Sequence, residues 1–137
     1  MTLKRGSDVP KEILAKLRLT CLDLPEAYEE NAWAGIRWMV NKKNFAHVVM
    51  INDGWPPAYA KAANTDGPAC VLTFRVPRAA ADSPRFEKAP FFRPVWFQNI
   101  VGLFIGPDSD WDDIHSKLTQ SYCVLAPKKF VERIERA

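Results

Sequence analysis

The 137-residue sequence predicts one α+β domain, spanning residues 1–137, in which an antiparallel sheet is flanked by N-terminal and C-terminal helices. Two observations predict this fold. Stretches near both ends repeat apolar residues at the helical spacing of three and four, whereas stretches in the middle alternate apolar and polar residues, which is typical of strands. A chain of this length can bury an adequate core without metal ions or disulfides.

The first helix is predicted to begin at Ser7 or Asp8, either of which can cap it, and to end before Leu24-Pro25. Proline disfavours helical backbone in the residue that precedes it, so the dipeptide marks a boundary. An extended segment is expected next, from Ala27 to Trp33. The apolar stripe of the helix consists of Val9, Ile13, Leu14, Leu17, Cys21 and Leu22.

The central element is predicted to be a hairpin whose strands run from Gly35 to Val40 and from Phe45 to Ile51. Apolar and polar side chains alternate along most of both runs, as expected for a hairpin with one buried face. The tetrapeptide Asn41-Lys42-Lys43-Asn44 is predicted to form a four-residue loop between them. We expect the rest of the chain to cover this hairpin.

The segment from Asn52 to Ala69 contains many turn-forming residues, including Asn-Asp-Gly, Pro56-Pro57 and Asp66-Gly67-Pro68. Such a composition predicts a long, irregular and exposed connection. We expect this loop to be mobile and to present Trp55 and Tyr59 to a partner.

Further strands and a second long helix are predicted in the C-terminal half. A strand is expected from Cys70 to Val76, a short helical turn after Pro77, and a final strand pair at Val95 to Gln98 and Asn99 to Ile105. The last helix is predicted to open at the acidic residues around Asp110, which can cap it and which suit the positive end of a helix dipole. Its apolar stripe consists of Trp111, Ile114, Leu118, Tyr122 and Leu125.

The sequence offers little support for catalysis, a metal site or a bound cofactor. His47 and His115 are the two histidines, each lies on an apolar face, and hydrogen-bonded, partly buried imidazoles are the favoured interpretation. The six glycines match no nucleotide-binding or nucleophile motif. We therefore expect a protein that is not an enzyme, with no catalytic residues, no metal and no cofactor.

Cysteine usage and hydropathy predict where the protein is located. The three cysteines, Cys21, Cys70 and Cys123, have no paired spacing, which favours reduced thiols and a cytoplasmic location. No apolar run approaches the roughly 20 residues of a membrane helix, and the first residues do not resemble a signal peptide. No membrane association is expected.

The positive charge is concentrated in one part of the sequence. The net charge is +3 at pH 7, and residues 69–107 hold five basic residues against two acidic ones. Aromatic residues are interspersed among these charges, which suits contact with nucleic-acid phosphates and bases. The alternative is that the rings belong to the core and the charges to a solvated rim, an interpretation that we weight more heavily.

Several short segments follow one another in a recognisable order along the chain. They are Cys21-Leu22-Asp23-Leu24-Pro25-Glu26-Ala27, Trp33, Gly35, Lys43-Asn44-Phe45-Ala46, Leu72-Thr73-Phe74-Arg75-Val76-Pro77, Asp110-Trp111 and the run from Ser121 to Lys129. Together these segments resemble the MmcQ/YjbR family of small bacterial proteins. The resemblance implies an α+β fold similar to the CyaY-like group and a role in DNA binding through a double-wing motif. The chain departs from the family at Asn99-Ile100, where Gly-Trp is usual.

The sequence favours two functions over a third, an enzyme that uses His115 and a nearby carboxylate. The first is weak DNA binding, without strong sequence preference, through Arg37, Lys42, Lys43, Arg75, Arg78, Arg85, Lys88 and Arg93. The second is a small-ligand or protein-interaction domain that uses Trp55, Tyr59 and Trp96 under the long loop. The sequence leaves the ligand, any preferred DNA sequence and the oligomeric state undetermined.

Overall fold

The computed structural model describes residues 9–96 and 98–136, with side chains up to residue 134. It confirms the predicted α+β fold, with a six-stranded antiparallel sheet and helices from both ends of the chain. In chain order the elements are α1 (Lys11–Cys21), β1 (Tyr28–Asn31), β2 (Ile36–Val40), β3 (Lys43–Ile51), α2 (Pro57–Ala63), β4 (Ala69–Arg75), β5 (Phe91–Phe92), β6 (Ile100–Phe104), α3 (Trp111–Leu125) and α4 (Lys128–Arg136).

The sheet has the strand order β1-β2-β3-β4-β6-β5, and every neighbouring pair is antiparallel. The hairpin of β2 and β3 forms as predicted, but its connection is shorter than the four residues expected. Asn41 and Lys42 both have positive φ angles, 50° and 64°, and Lys43 already belongs to β3. Two-residue turns of this kind match the natural twist of the strands, which favours them over longer loops.

Helices α1 and α3 pack on one face of the sheet and bury the main core. Leu17 of α1 and Leu118 of α3 have no exposed surface, and the Tyr122 ring lies edge-on to Phe45 with centroids 5.5 Å apart. Both helical stripes are largely confirmed. Leu22 is an exception at 45% exposed, because α1 ends at Cys21 and Leu22 is its C-cap.

The ends of the two long helices are set in different ways. Asp110 caps α3 as predicted, since its Oδ1 accepts a hydrogen bond of 3.1 Å from the Asp113 amide. At the start of α1 the N-cap is Pro10, with no side-chain cap hydrogen bond. Ser7 and Asp8, the predicted caps, lie outside the described residues.

Helix α2 covers part of the opposite face, where the sequence predicted an irregular exposed loop. That prediction is wrong because Pro57 occupies the first turn of the helix, where its missing amide hydrogen is not needed. Asn64 ends the helix in the left-handed conformation. Ala60 and Ala63 pack in a second core with β3 and β4, which are therefore buried on both faces, unlike the half-buried hairpin predicted.

The strand beside β6 is Phe91–Phe92 and not the predicted Val95 to Gln98. Val95 is 95% exposed, and Phe97 lies outside the described residues. Phe92 pairs with Gly102, and a Cβ atom at Gly102 would lie only 2.2 Å from the Phe92 ring. The Phe92 ring occupies the space that a side chain at position 102 would fill, so Gly102 allows Phe91–Phe92 to pair with β6 as the edge strand.

None of the helices in the described part of the chain combines the length and the apolar character needed to cross a bilayer.

Candidate ligand-binding site

His47 lies on the sheet face that α2 partly covers, at the middle of a hydrogen-bonded chain. Its Nε2 is 2.6 Å from the Ala34 carbonyl oxygen, which can only accept, so Nε2 carries the proton. Its Nδ1 therefore accepts a hydrogen bond of 2.7 Å from the Tyr59 hydroxyl. Burial lowers the pKa of His47 below its ordinary value, which keeps this neutral tautomer in place at neutral pH.

Tyr59 is presented by α2 and connects His47 to Trp96. The Tyr59 ring is edge-on to His47, with centroids 5.5 Å apart, and it contacts Trp96 at 4.8 Å. Burial raises the pKa of Tyr59 to about 12, so its hydroxyl remains protonated and continues to donate to His47. Trp96 comes from the segment between β5 and β6, so the contact joins two distant parts of the sequence.

A cavity of about 230 Å³ opens beside this aromatic pair. Because His47 is directly opposite Thr73 in the β3–β4 register, both side chains lie on the same face of the sheet. Arg75 lies two residues further along β4 on that face. The described residues that line the cavity are Asn44, Phe45, His47, Tyr59, Thr73, Phe74, Arg75, Trp96 and Ile100.

Arg75 is the one charged residue among the described residues that line this cavity, given that His47 is neutral. Its Nη1 donates to Asn99 Oδ1 at 2.9 Å, and Asn99 Nδ2 donates to the Val76 carbonyl at 3.2 Å. Burial lowers the pKa of Arg75 from its ordinary high value, which leaves it a cation at neutral pH. The guanidinium is therefore held in place by a neighbour that is itself anchored.

The backbone around Arg75 is fixed by a buried serine of α3. The Arg75 amide donates to Ser121 Oγ at 2.8 Å, and the Ser121 hydroxyl donates to the Phe45 carbonyl at 2.5 Å. Ser121 has no exposed surface. This side chain ties α3 to the ends of β3 and β4 that form the cavity.

A second cavity, of about 480 Å³, is lined mainly by apolar side chains. His47 and Tyr59 line both cavities. Trp33 borders the second cavity, is 68% exposed, and has its ring centroid 5.2 Å from that of Trp55. The two tryptophans therefore form a separate aromatic pair.

The sequence predicted that Trp55, Tyr59 and Trp96 would line one site. The structure brings Tyr59 and Trp96 into contact, but Trp55 lies beside Trp33 instead. Sequence reasoning assigned His47 a structural role, and its two hydrogen bonds confirm that it is a satisfied, partly buried imidazole. It did not identify Thr73 as part of the site, because only the pairing of β3 with β4 places that residue beside His47.

His115, the other histidine, is also hydrogen-bonded and only partly exposed, as predicted. Its Nδ1 contacts the Thr20 hydroxyl, which joins α3 to α1. Its ring lies edge-on to Trp111, with centroids 6.3 Å apart. This histidine lies on the opposite face of the sheet from the cavity.

Some of the predicted basic residues share one edge of the sheet. Lys42 and Lys43 are exposed at the β2–β3 turn. The register pairs Ala46 with Phe74, so the end of β4, with Arg75 and the exposed Arg78 after it, lies at that same edge.

The other predicted basic residues are held in local interactions or lie elsewhere. Arg37 Nε donates to Glu30 at 2.6 Å, and Arg93 donates to the carbonyls of Ala81 and Gln98. Arg85 Nη2 lies 3.8 Å from Asp113 Oδ2, and Asp113 belongs to the first turn of α3. The end of β4 instead contacts Ser121, which lies about 12 Å further along the same helix. Arg85 and the nearby exposed Lys88 are therefore remote from the edge that carries Lys42 and Lys43.

Most of the aromatic rings between these charges belong to the core. Phe74, Phe86 and Phe92 are at most 8% exposed, whereas Trp96 is 36% exposed. The interpretation of the rings as core side chains is therefore confirmed for these three phenylalanines.

The comparisons with known proteins bear on the fold. No protein-family model matches the chain, and no curated protein matches it. A crystal structure of a protein from Pseudomonas syringae, solved by a structural genomics consortium, aligns with 85% of this chain and 98% of its own, at a TM-score of 0.54 and 15% identity. At this identity the similarity shows a shared fold alone, and the resemblance to the MmcQ/YjbR family stays a prediction.

Proposed function

We propose that this protein is a non-enzymatic binding domain that takes a small organic ligand in the cavity beside Tyr59 and Trp96. The observation that carries the proposal is the contact between these two rings above the hydrogen-bonded His47. It produces a concave site with aromatic walls and a few fixed polar groups, which is the usual composition of a ligand pocket. The cavity is smaller than pockets for drug-sized molecules, which are roughly 300–1,000 Å³, so a compact ligand is expected.

Tryptophan fluorescence tests this proposal, because Trp96 is a reporter at the cavity. The purified protein is titrated with a panel of one-ring and two-ring aromatic fragments, and emission and melting temperature are recorded. We expect ligands that raise the melting temperature also to change the emission, and Trp96→Phe to abolish the emission change.

Trp111→Phe is the matched control, since Trp111 lies beside His115 on the other face of the sheet. This variant should retain the response. A panel without any stabilising fragment, or a response that Trp96→Phe leaves intact, would contradict a ligand site at this cavity.

DNA binding is the second candidate, favoured by the position of Lys42, Lys43 and Arg78 at one edge of the sheet. Three exposed cations near one another can contact phosphates, and each phosphate neutralised releases counterions. The resemblance to the MmcQ/YjbR family supports the same function. The ion pair of Arg37 and the carbonyl contacts of Arg93 weigh against a wider basic surface.

A salt titration with unrelated duplex sequences separates this candidate from the ligand site. Weak binding at about 50 mM salt, similar for all sequences and lost as salt rises, is expected if the edge contacts phosphates. The double variant Lys42→Ala with Lys43→Ala should weaken it, whereas Lys61→Ala on the exposed side of α2 should not. The absence of binding at 50 mM salt excludes this candidate without affecting the cavity.

A further inference from the structure

We propose that the ligand of this cavity is a planar aromatic monocarboxylate whose ring lies against Trp96 and Tyr59 and whose carboxylate pairs with Arg75. This inference rests on the proposed ligand-binding function and adds the chemical class of the ligand. Three properties of the cavity carry it, namely its walls, its charge and its size.

The walls favour a flat ring. Trp96 and Tyr59 meet at an interplanar angle of 65°, and both residues line the cavity, so part of its wall is aromatic. Aromatic pairs gain from such arrangements beyond their burial of apolar area. Ile100 adds a further apolar side chain to the lining. An aliphatic ligand would bury similar area but would not gain the interaction between rings.

The charge favours an anion with a single negative charge. Arg75 is the charged residue among the described lining residues, and the neutral tautomer of His47 is fixed between Ala34 and Tyr59. The planar guanidinium fork of arginine matches the two oxygens of a carboxylate. The hydrogen bond that Arg75 donates to Asn99 holds the guanidinium in orientation, so little side-chain freedom is lost when a ligand binds. A phosphate dianion would need a second cation that the described lining does not provide.

The size of the cavity limits how much of a ligand can be buried in it. Its volume of about 230 Å³ corresponds to about seven or eight water molecules in the liquid. One ring or two fused rings with a directly attached carboxylate fit this volume, whereas much of a nucleotide would lie outside it. Asn44 and Thr73 supply neutral hydrogen-bonding groups that can orient a ring substituent.

Calorimetric titration of the intact protein tests the inference with acids and their neutral amides. The probes are benzoate and indole-3-carboxylate, benzamide and indole-3-carboxamide, together with acetate and phenyl phosphate. We expect each aromatic acid to bind at least about tenfold more tightly than its amide, as a charge-assisted hydrogen bond of about 1.5 kcal/mol implies. Acetate should not bind measurably, because it lacks the ring.

Two variants that remove one positive charge locate the effect. Arg75→Gln should reduce the preference for acid over amide to about twofold or less, whereas Lys61→Gln, at an exposed position of α2, should leave it unchanged. If Arg75→Gln fails to fold, the comparison of acid with amide in the unmodified protein still decides the matter. Equal binding of acid and amide, tighter binding of phenyl phosphate, or an equal loss in both variants would overturn the inference.

The outcomes also separate this inference from the proposed function. If an aromatic fragment binds beside Trp96 but the acids have no advantage, the cavity is a ligand site for neutral molecules and only the present inference fails. If no fragment and no acid binds, both fail.

Discussion

Truncation of Leu118 tests the contact on which the main core depends, the packing of α3 against the sheet. Leu118 has no exposed surface, and α3 lies against β3 and β4. Alanine at this position removes buried methyl and methylene groups and leaves a cavity, which the hydrogen-bonded strands can fill only in part. Substitutions of this kind destabilise proteins by about 2.7–5 kcal/mol, and we expect Leu118→Ala to lie in that range.

Leu19→Ala is the matched control, because it makes the same change in a helix at a position that is 73% exposed. Helix propensity changes equally in both variants, so the difference between them isolates burial and packing. The control should lie within about 0.5 kcal/mol of the unmodified protein.

Urea unfolding and thermal melting both measure this prediction. For a chain of 137 residues, 1 kcal/mol shifts the melting temperature by about 3–4 °C, so Leu118→Ala should melt about 8–20 °C lower. A loss for Leu118→Ala no larger than that for Leu19→Ala would refute the assignment of this helix face to the core.

Three further predictions concern the site and the sheet. Ser121→Ala should lower the free energy of unfolding, measured in urea, by about 1–3 kcal/mol, because the Phe45 carbonyl and the Arg75 amide lose their buried partner. An unchanged urea midpoint would mean that water replaces the hydroxyl. Gly102→Ala should lower the free energy of unfolding by about 1–3 kcal/mol, because the new methyl group clashes with the Phe92 ring. Combining it with Phe92→Leu should recover part of that loss, and strictly additive effects of the two substitutions would argue against the clash. Burial lowers the folded-state pKa of His47 below its unfolded value, 6.5, so the unfolded state binds the proton more readily. The contribution of neutral His47 to the free energy of unfolding is therefore full above pH 6.5 and falls as the pH drops from 7 to 5. Melting temperatures of His47→Gln should fall less over this interval, and an equal slope in both proteins would contradict the prediction.

The sequence predicted the fold class and the long elements because their patterns are local. The stripe of Ile114, Leu118 and Tyr122 recurs at helical spacing, and all three side chains are at most 2% exposed. The capping role of Asp110 was equally readable, since it depends on residues within one turn. The first strand, β1, also lies within the predicted segment from Ala27 to Trp33.

Prediction failed where one local signal was compatible with two structures. Proline and glycine in residues 52–69 indicated a loop, but proline in the first turn of a helix costs no hydrogen bond, and α2 forms against the second face of the sheet. Similarly, both Phe91–Phe92 and Val95 to Gln98 have strand-like composition. The space above Gly102, which accepts the Phe92 ring, selects the former.

The candidate site shows the same division between local sequence and tertiary structure. Sequence reasoning selected Tyr59, Trp96 and Arg75 as separate candidates for two different functions. Their proximity depends on the register of β3 with β4 and on the docking of α2, which are interactions between residues distant in sequence. By itself, the sequence determined the fold class and the apolar stripes of the two long helices, whereas it predicted one buried face for strands that are buried on both. Only the tertiary structure decided which side chains share a cavity, because that depends on pairing energies between segments that no local pattern records.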